Sequence, residues 1–202
     1  HRQDGGVRAA DAAAALCRDH RRGQHSPHQP ARQPAQRRPS PAAQTAMRHT
    51  SLNVIQQEHQ ALAAMLRSMS MLVEQSRRDV TPLPLPVLRA MLFYVDEFPE
   101  RLHHTKESEL LFPKLRARSL QAREVLDRLD RDHARGERAI RDLEHKLLGF
   151  EMMAGTAQLE SRREQFEQAV RQYVDFYLDH MRVEESVVLP LAEKVLSVED
   201  WT

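Results

Sequence analysis

Four histidines in this chain could ligate metal ions, and three of them are followed four residues later by a glutamate. The pairs are His103/Glu107, His133/Glu137 and His180/Glu184, and the fourth histidine is His59. On an α-helix, residues four apart lie on one face, one turn from each other. Imidazole and carboxylate groups that project from facing helices can hold a pair of iron or manganese ions inside a helix bundle. The pattern therefore predicts a dinuclear metal centre.

The apolar residues predict four helices that carry these histidines. Leu52, Ile55, His59, Leu62 and Leu66 are separated alternately by three and four residues, which is the seam of a bundle helix. Similar seams occupy residues 87–112, 120–147 and 159–190, and the second contains Pro99, which should kink the helix and turn His103 inward. Since several buried imidazoles without partners would be costly, histidines at seam positions favour a shared metal site.

The spacing of the histidines matches the predicted turns. The midpoint of residues 59 and 103 is Thr81, in a proline-rich run, and that of 103 and 133 is Arg118, in the gap after Pro113. The midpoint of 133 and 180 is 156.5, at the predicted turn Gly155-Thr156. In an antiparallel bundle, residues equally far from a turn lie at one level. An up-down four-helix bundle would therefore bring all four histidines together.

The donor types indicate which metals would fit. Four imidazoles supply four nitrogens, and the Glu107 and Glu184 carboxylates could each bridge two ions through their two oxygens. A bridging oxide or hydroxide from solvent could fill further positions. Mixed imidazole and carboxylate ligation without cysteine suits iron or manganese, and zinc accepts the same donors. An incompletely filled pair leaves room for O₂, nitric oxide or peroxide, and Gly136 is expected to provide that room.

Composition narrows the class of protein. The formal net charge is +1, from 30 basic and 29 acidic residues, so no global field attracts nucleic acid. No apolar run approaches the roughly 20 residues that span a bilayer, so no membrane association is expected. The only cysteine is Cys17, which excludes an internal disulfide and favours a cytoplasmic location.

The first 46 residues differ from the rest of the chain. They are basic and proline-rich and lack hydrophobic periodicity, so they cannot bury enough apolar area to offset their ordering entropy. We expect residues 1–46 to be a disordered extension and residues 51–196 to form the bundle. The sequence also suggests the interpretation that Met47 is the natural start and that the upstream stretch is not native.

Several motifs resemble the hemerythrin-like (HHE cation-binding) family. They are HHTKE at 103–107, ELLFP at 109–113, HMRVEE at 180–185, and the pairs Glu58-His59 and Asp132-His133. The resemblance covers about residues 51–190. It implies an all-α fold, an antiparallel up-down four-helix bundle with a non-heme di-iron centre. It also implies six ligands, which are His59, His103, Glu107, His133, His180 and Glu184.

The chain departs from the respiratory hemerythrins, which carry a His-x-x-x-His pair on the third helix and an aspartate five residues after the last histidine. Here the third helix has His133 and Glu137, and the fourth has His180 and Glu184. This resembles the carboxylate-richer branch of the family, which includes iron–sulfur cluster repair and iron-sensing proteins, and it argues against reversible O₂ carriage. Glu137 has two interpretations, a seventh ligand or a surface residue paired with Arg141.

Three functional hypotheses follow. The first is a di-iron protein that binds or senses O₂, nitric oxide or iron, and that acts through an unknown protein partner. The second is an enzyme that uses the same centre as an oxidase, a peroxide-consuming catalyst or a repair factor. The third is a helical interaction module with one structural divalent ion.

Overall fold

Four long helices make up the part of the chain that this computed structural model describes, residues 40–201. The first helix is Pro41–Arg78, and the third is Arg123–Met152, after a 3₁₀ turn at Leu120–Ala122. The second helix is a continuous rod made of Leu85–Val95, Asp96–His103, His104–Lys106, Glu107–Leu111 and Phe112–Arg118. The fourth consists of Leu159–Val183, Glu184–Val188 and Leu189–Val195, and a 3₁₀ turn at Val198–Trp201 follows. Residues 40–201 contain no β-strand.

The four helices pack as the predicted up-down bundle. The first helix packs against the second and the fourth, and the third helix packs against the same two. The connections lie at residues 79–84, at Ser119 and at 153–158. These turns coincide with, or directly follow, the predicted midpoints Thr81, Arg118 and Gly155-Thr156. The four histidines therefore lie at one level of the bundle.

The first helix begins earlier than the sequence pattern suggested. Residues 41–46, which we expected to be disordered, form its first turns. Ser40 caps the helix, because its hydroxyl accepts a hydrogen bond from the Ala43 N–H at 3.3 Å, and Pro41 occupies the first helical position, where its missing N–H costs nothing. The rest of the predicted N-terminal extension, residues 1–39, lies outside the described residues.

The same helix ends with a strained residue. Thr81 N–H bonds to Ser76 C=O at 2.9 Å and Val80 N–H bonds to Arg77 C=O at 3.4 Å, which is the pattern of a Schellman C-cap. Val80 has φ of 53°, so it occupies the left-handed position that such caps usually give to glycine.

Buried residues recur every four positions along the second helix. The series is Val95, Pro99, His103, Glu107, Leu111 and Leu115. An α-helix has 3.6 residues per turn, so a four-residue repeat would drift around its surface. Two π-helical stretches, Asp96–His103 and Glu107–Leu111, have wider turns that absorb the drift. His103 therefore faces inward, as we expected, whereas the adjacent Leu102 is 54% exposed.

A proline lies within or just after each π-helical stretch. Pro99 is inside the first, Pro113 follows the second, and Pro190 follows the stretch Glu184–Val188 of the fourth helix. Proline lacks the N–H of the α-helical pattern and clashes with the carbonyl four residues earlier, so it favours the wider turn. The second and fourth helices thus share one arrangement, in which a glutamate begins the π stretch and proline follows six residues later.

Two apolar clusters fill the bundle interior on either side of the histidines. The larger one includes Leu66, Met69, Leu92, Ile140 and Phe166, and the smaller one includes Phe112, Leu115, Leu126, Leu129 and Val188. The polar layer between them is enclosed by packed side chains rather than by solvent. None of the helices in residues 40–201 is both long enough and apolar enough to cross a membrane.

Candidate metal centre

Six of the seven predicted ligands meet in this polar layer. Each has at most 8% of its surface exposed, and the six are His59, His103, Glu107, His133, His180 and Glu184. They form two groups that could each hold a cation, one with His59 and His103 and the other with His133 and His180. Glu107 and Glu184 belong to both groups.

Within each group, two imidazoles face each other through Nε2. The two Nε2 atoms are 3.0 Å apart in the His59/His103 pair and 3.1 Å apart in the His133/His180 pair. The first pair joins the first and second helices, and the other joins the third and fourth. The polar layer therefore consists of two similar halves.

The two glutamates connect these halves. Glu107 places Oε1 3.3 Å from His103 Nε2 and Oε2 3.4 Å from His133 Nε2. Glu184 places Oε2 3.2 Å from His59 Nε2 and Oε1 3.2 Å from His180 Nε2. Each carboxylate thus directs one oxygen toward each half, which is the arrangement expected of a bridging ligand.

The outer nitrogen of every imidazole faces an oxygen on a neighbouring helix. Glu58 Oε2 lies 2.6 Å from His103 Nδ1, and Glu185 Oε1 lies 3.1 Å from His59 Nδ1. Ser108 Oγ lies 3.0 Å from His133 Nδ1 and gives its own hydrogen to Asp130 at 2.8 Å, and Asp132 Oδ2 lies 3.7 Å from His180 Nδ1. These oxygens form a closed ring around the bundle, which we call the outer ring (Glu58, Ser108, Asp132 and Glu185). The Asp132 contact is an ion-pair distance, and Nδ1 of His180 has no hydrogen bond within residues 40–201.

The outer ring fixes which nitrogen is available for a cation. A carboxylate can only accept, so Nδ1 of His59 and of His103 carries the hydrogen, and the neutral imidazole directs the Nε2 lone pair inward. Two such lone pairs 3.0 Å apart repel each other unless a cation or a proton lies between them. Oxygens of Glu107 and Glu184 are also buried without a hydrogen bond to any group in residues 40–201. The donor set therefore fits metal cations.

In the absence of a cation, the inward-facing Nε2 atoms of the histidines can bind protons instead. Burial lowers the pKa of His103, but the Glu107 and Glu58 carboxylates outweigh it and raise that pKa to about 9. Burial likewise opposes the charged form of His180, whose pKa is nevertheless raised to about 10, chiefly by Glu184 and Asp132. Burial tends to raise the pKa of Glu184, but the surrounding histidines hold it well below its usual range.

Glu137 is not brought into the centre. Its side chain is 51% exposed and pairs with Arg141 one turn along the same helix. The buried positions that follow His133 on the third helix are Gly136 and Ile140, so Glu137 lies at the edge of the buried face and extends into solvent. Of the two interpretations of Glu137, the geometry favours the surface pair.

Two further acidic residues lie beside the centre. Glu58 contacts His103, because the position before His59 faces the second helix rather than solvent. Asp96, two turns before His103 on the second helix, accepts a hydrogen bond from Arg101 at 2.9 Å. An adjacent acidic residue in both Glu58-His59 and Asp132-His133 was the available signal for the outer ring.

A second buried polar group, which the sequence analysis did not predict, borders the centre. Glu100 Oε1 accepts hydrogen bonds from the hydroxyls of Tyr173, at 2.9 Å, and of Tyr177. Glu100 Oε2 lies 3.2 Å from Nδ1 of His104, whose ring lies parallel to that of His133 with 4.1 Å between centroids. His104 also forms a third group of possible cation ligands with His133 and His180, which overlaps the second half of the centre. Burial raises the pKa of Glu100 to about 7, despite these hydrogen bonds.

Gly136 makes room for this second group rather than for a diatomic ligand. A Cβ at this position would overlap the Tyr177 hydroxyl and would lie 2.8 Å from Glu100 Oε1. A cleft of about 320 Å³ does reach the centre from another side, where His103 and Glu107 contribute to its wall. Apolar residues including Val54, Ile55 and Leu110 line its outer part.

The comparison with known families agrees with this geometry. The family model of the hemerythrin HHE cation binding domain matches residues 50–192, which is more than half of the chain and includes all six buried donors. No curated protein matched the chain significantly. The chain therefore belongs to the hemerythrin HHE cation-binding domain family.

Proposed function

We propose that the six donors hold two iron ions. The observation that carries this proposal is the position of the Glu107 and Glu184 carboxylates, each of which has one oxygen beside each histidine pair. Two ions with two imidazoles each and two shared carboxylates would use every inward-facing donor. A single ion would leave one histidine pair, and its opposed lone pairs, without a cation.

The donor chemistry suits iron or manganese better than zinc. Imidazole and carboxylate ligands without thiolate suit iron and manganese, and zinc binds the same donors but usually as a four-coordinate ion. Each half offers two nitrogens and two carboxylate oxygens, so an ion that prefers six ligands would retain positions for a bridging oxide or hydroxide and for an external molecule.

We propose that the protein binds or senses O₂, nitric oxide or iron, and that it does so in the cytoplasm. Bound ferrous ions would supply the electrons and the open positions that O₂ and nitric oxide require. The chain supplies the rest: four imidazoles oriented by the outer ring, and two apolar clusters that keep bulk water away from the centre. A sensing role would need a protein partner that binds differently to the bundle with and without its ligand or iron.

A peroxide-consuming or oxidase activity is the second candidate. The cleft of about 320 Å³ beside His103 and Glu107 is much larger than a diatomic molecule, and it would admit a hydroperoxide. Its apolar lining favours an uncharged substrate over a charged one.

Metal analysis combined with an optical spectrum tests these proposals. We expect two irons per chain after purification with a native iron supply, together with a near-ultraviolet oxo-to-iron charge-transfer band. One zinc per chain without that band would contradict both and would support an interaction module with a structural ion. Consumption of peroxide by the reduced protein would then distinguish the enzyme from the sensor.

A further inference from the structure

The Glu100 carboxylate is buried without a cationic partner. Only 7% of the residue is exposed, and no lysine or arginine within residues 40–201 forms an ion pair with it. Three donors instead surround it, the hydroxyls of Tyr173 and Tyr177 and the Nδ1–H of His104. Burial of a negative charge without a cation is costly, and protonation of the carboxylate removes that cost. Glu100 is therefore placed to accept a proton from one of its own donors.

Tyr177 links this carboxylate to the metal centre. Its ring lies parallel to that of His104, at 5.4 Å between centroids and 4°, and His104 in turn stacks on His133. The Tyr177 ring also meets the ring of His180 edge-on at 5.7 Å. Tyr177 thus contacts the candidate ligand His180 directly, and the His104 ring separates it from the candidate ligand His133. Only 1% of the Tyr177 surface is exposed.

Oxidation of a phenol requires a nearby base. Loss of an electron makes the hydroxyl strongly acidic, so a buried tyrosine is oxidised readily only if its proton has an acceptor within hydrogen-bond distance. Glu100 Oε1 already accepts the Tyr177 hydrogen, and its protonation would remove an unpaired buried charge. The arrangement thus provides the acceptor without any rearrangement.

We propose that Tyr177 is a redox-active side chain that gives one electron to the oxidised metal centre while Glu100 accepts its hydroxyl proton. The inference rests on the proposed iron centre, and the co-reactant is a hydroperoxide. The O–O bond of the hydroperoxide breaks when the molecule takes up two electrons and two protons from solvent. The products are an alcohol and water, or two water molecules when the hydroperoxide is hydrogen peroxide. Iron supplies one electron and Tyr177 the other. The O–H bond of Tyr177 breaks, its proton moves to Glu100, and a neutral tyrosyl radical remains.

The role of this electron would be protective. Reduction of a hydroperoxide by a single electron releases a hydroxyl or alkoxyl radical, which attacks nearby side chains. A second electron from Tyr177 completes the two-electron reaction when only one ferrous ion is available. Tyr173 shares the Glu100 oxygen but lies one turn further from His180. Tyr94 stacks on Phe98 instead, so Tyr94 serves as the control.

Electron paramagnetic resonance tests the proposal, because the chain contains only three tyrosines. The iron-loaded protein, reduced so that each centre holds one ferrous and one ferric ion, is mixed with hydrogen peroxide and frozen rapidly. We expect a tyrosyl radical in the wild type and in Tyr94→Phe, and its loss in Tyr177→Phe and in Glu100→Gln. Iron content and thermal stability of each variant show that the centre and the fold are intact. The same radical in Tyr177→Phe, or none in the iron-containing wild type, would overturn the inference and leave the proposed function standing.

A measurement on the metal-free protein keeps the two proposals separate. A ruthenium photo-oxidant should generate a radical at Tyr177 that persists in the wild type and in Tyr94→Phe but not in Glu100→Gln. Absence of iron from the purified protein would contradict the proposed function. The photo-oxidation experiment would then test the redox activity of Tyr177 independently of iron. A radical that is unaffected by Tyr177→Phe or by Glu100→Gln would overturn the inference.

Discussion

The Glu58 carboxylate lies 2.6 Å from Nδ1 of His103, although the two residues are on different helices. This contact orients the imidazole and increases its basicity, since an ionised acceptor strengthens the donor's lone pair on the opposite nitrogen. Glu58 is itself held by Lys106, whose Nζ donates to its other oxygen at 3.3 Å. The outer ring is therefore expected to influence metal affinity without contacting the metal.

Glu58→Gln should weaken metal binding by about 10- to 100-fold, because glutamine keeps the shape of the side chain but removes the charge that His103 faces. Competition with a chelator of known affinity measures the change. Glu137→Gln is the matched control, since Glu137 pairs only with Arg141 on the surface. Equal affinities of the two variants would show that the outer ring has no influence on the centre.

Glu184→Ala should remove metal from both halves of the centre, because this carboxylate has an oxygen beside each histidine pair. Iron content per chain, measured after gel filtration, is expected to fall markedly together with the melting temperature of the protein as purified. His145→Ala, an exposed histidine on the third helix, should change neither. Retention of two irons in Glu184→Ala would place the metal elsewhere.

The metal-free protein should lose stability as the pH rises from about 7.5 to about 10. Folding raises the pKa of His103 to about 9 and that of His180 to about 10, so their protonated forms stabilise the folded state. This contribution is complete below the unfolded value of about 6.5 and disappears as the pH passes through 9 and 10. Melting temperatures across this range measure it.

The metal-loaded protein is the control for the pH series, because coordination requires neutral imidazoles and replaces their protons. Its advantage in melting temperature over the metal-free protein should increase from pH 7.5 to 10. Parallel curves for the two forms would contradict the raised pKa values.

Gly136→Ala should destabilise the protein although alanine favours helices. Overpacking typically costs about 1–3 kcal/mol, and the new methyl group would overlap Tyr177 and approach Glu100. Removal of a helical glycine recovers about 0.5–1 kcal/mol. Gly149→Ala tests that gain alone, because nothing lies within 4 Å of a Cβ there, and it should be neutral or stabilising. Denaturant unfolding measures both, and a stabilised Gly136→Ala would show that the second polar group is absent.

Val80→Gly should stabilise the protein by up to about 1 kcal/mol, since a left-handed backbone costs a side-chain-bearing residue roughly 1–2 kcal/mol and costs glycine nothing. Val80 is 89% exposed, so the substitution removes little packing. Val87→Gly, on the exposed side of the second helix, should instead destabilise. A loss of stability in both variants would indicate that Val80 is not strained.

Much of this architecture was predictable from local spacing. The alternation of three and four residues identified the helices, and the midpoints at Thr81, Arg118 and Gly155-Thr156 placed the histidines at one level. The same periodicity placed His59, His133 and His180 at seam positions, and the full set of six donors followed from the resemblance to the hemerythrin-like family. Glu137 was ambiguous, since four residues after His133 a side chain lies near the edge of the seam, and only the packed neighbours decide its direction.

The outer ring and the Glu100 group could not be predicted in this way. Glu58 precedes His59 by one residue and therefore points about 100° away from it, toward solvent or toward a neighbouring helix depending on where that helix lies. Glu100 and His104 face inward only because the π-helical stretch Asp96–His103 changes the register of the second helix. Neither the extent of such a stretch nor its effect on nearby side chains is encoded in a hydrophobic pattern.

The outer ring also bears on the handedness of the bundle. Four antiparallel helices can be arranged around a core in a left-turning or a right-turning order, and a shared apolar seam discriminates poorly between the two. In the present order Glu58 faces the second helix and Glu185 faces the first. In the mirror order Glu58 would face the fourth helix and Glu185 the third, so the imidazoles would lose their acceptors. Four polar contacts at one level thus select the hand of the bundle.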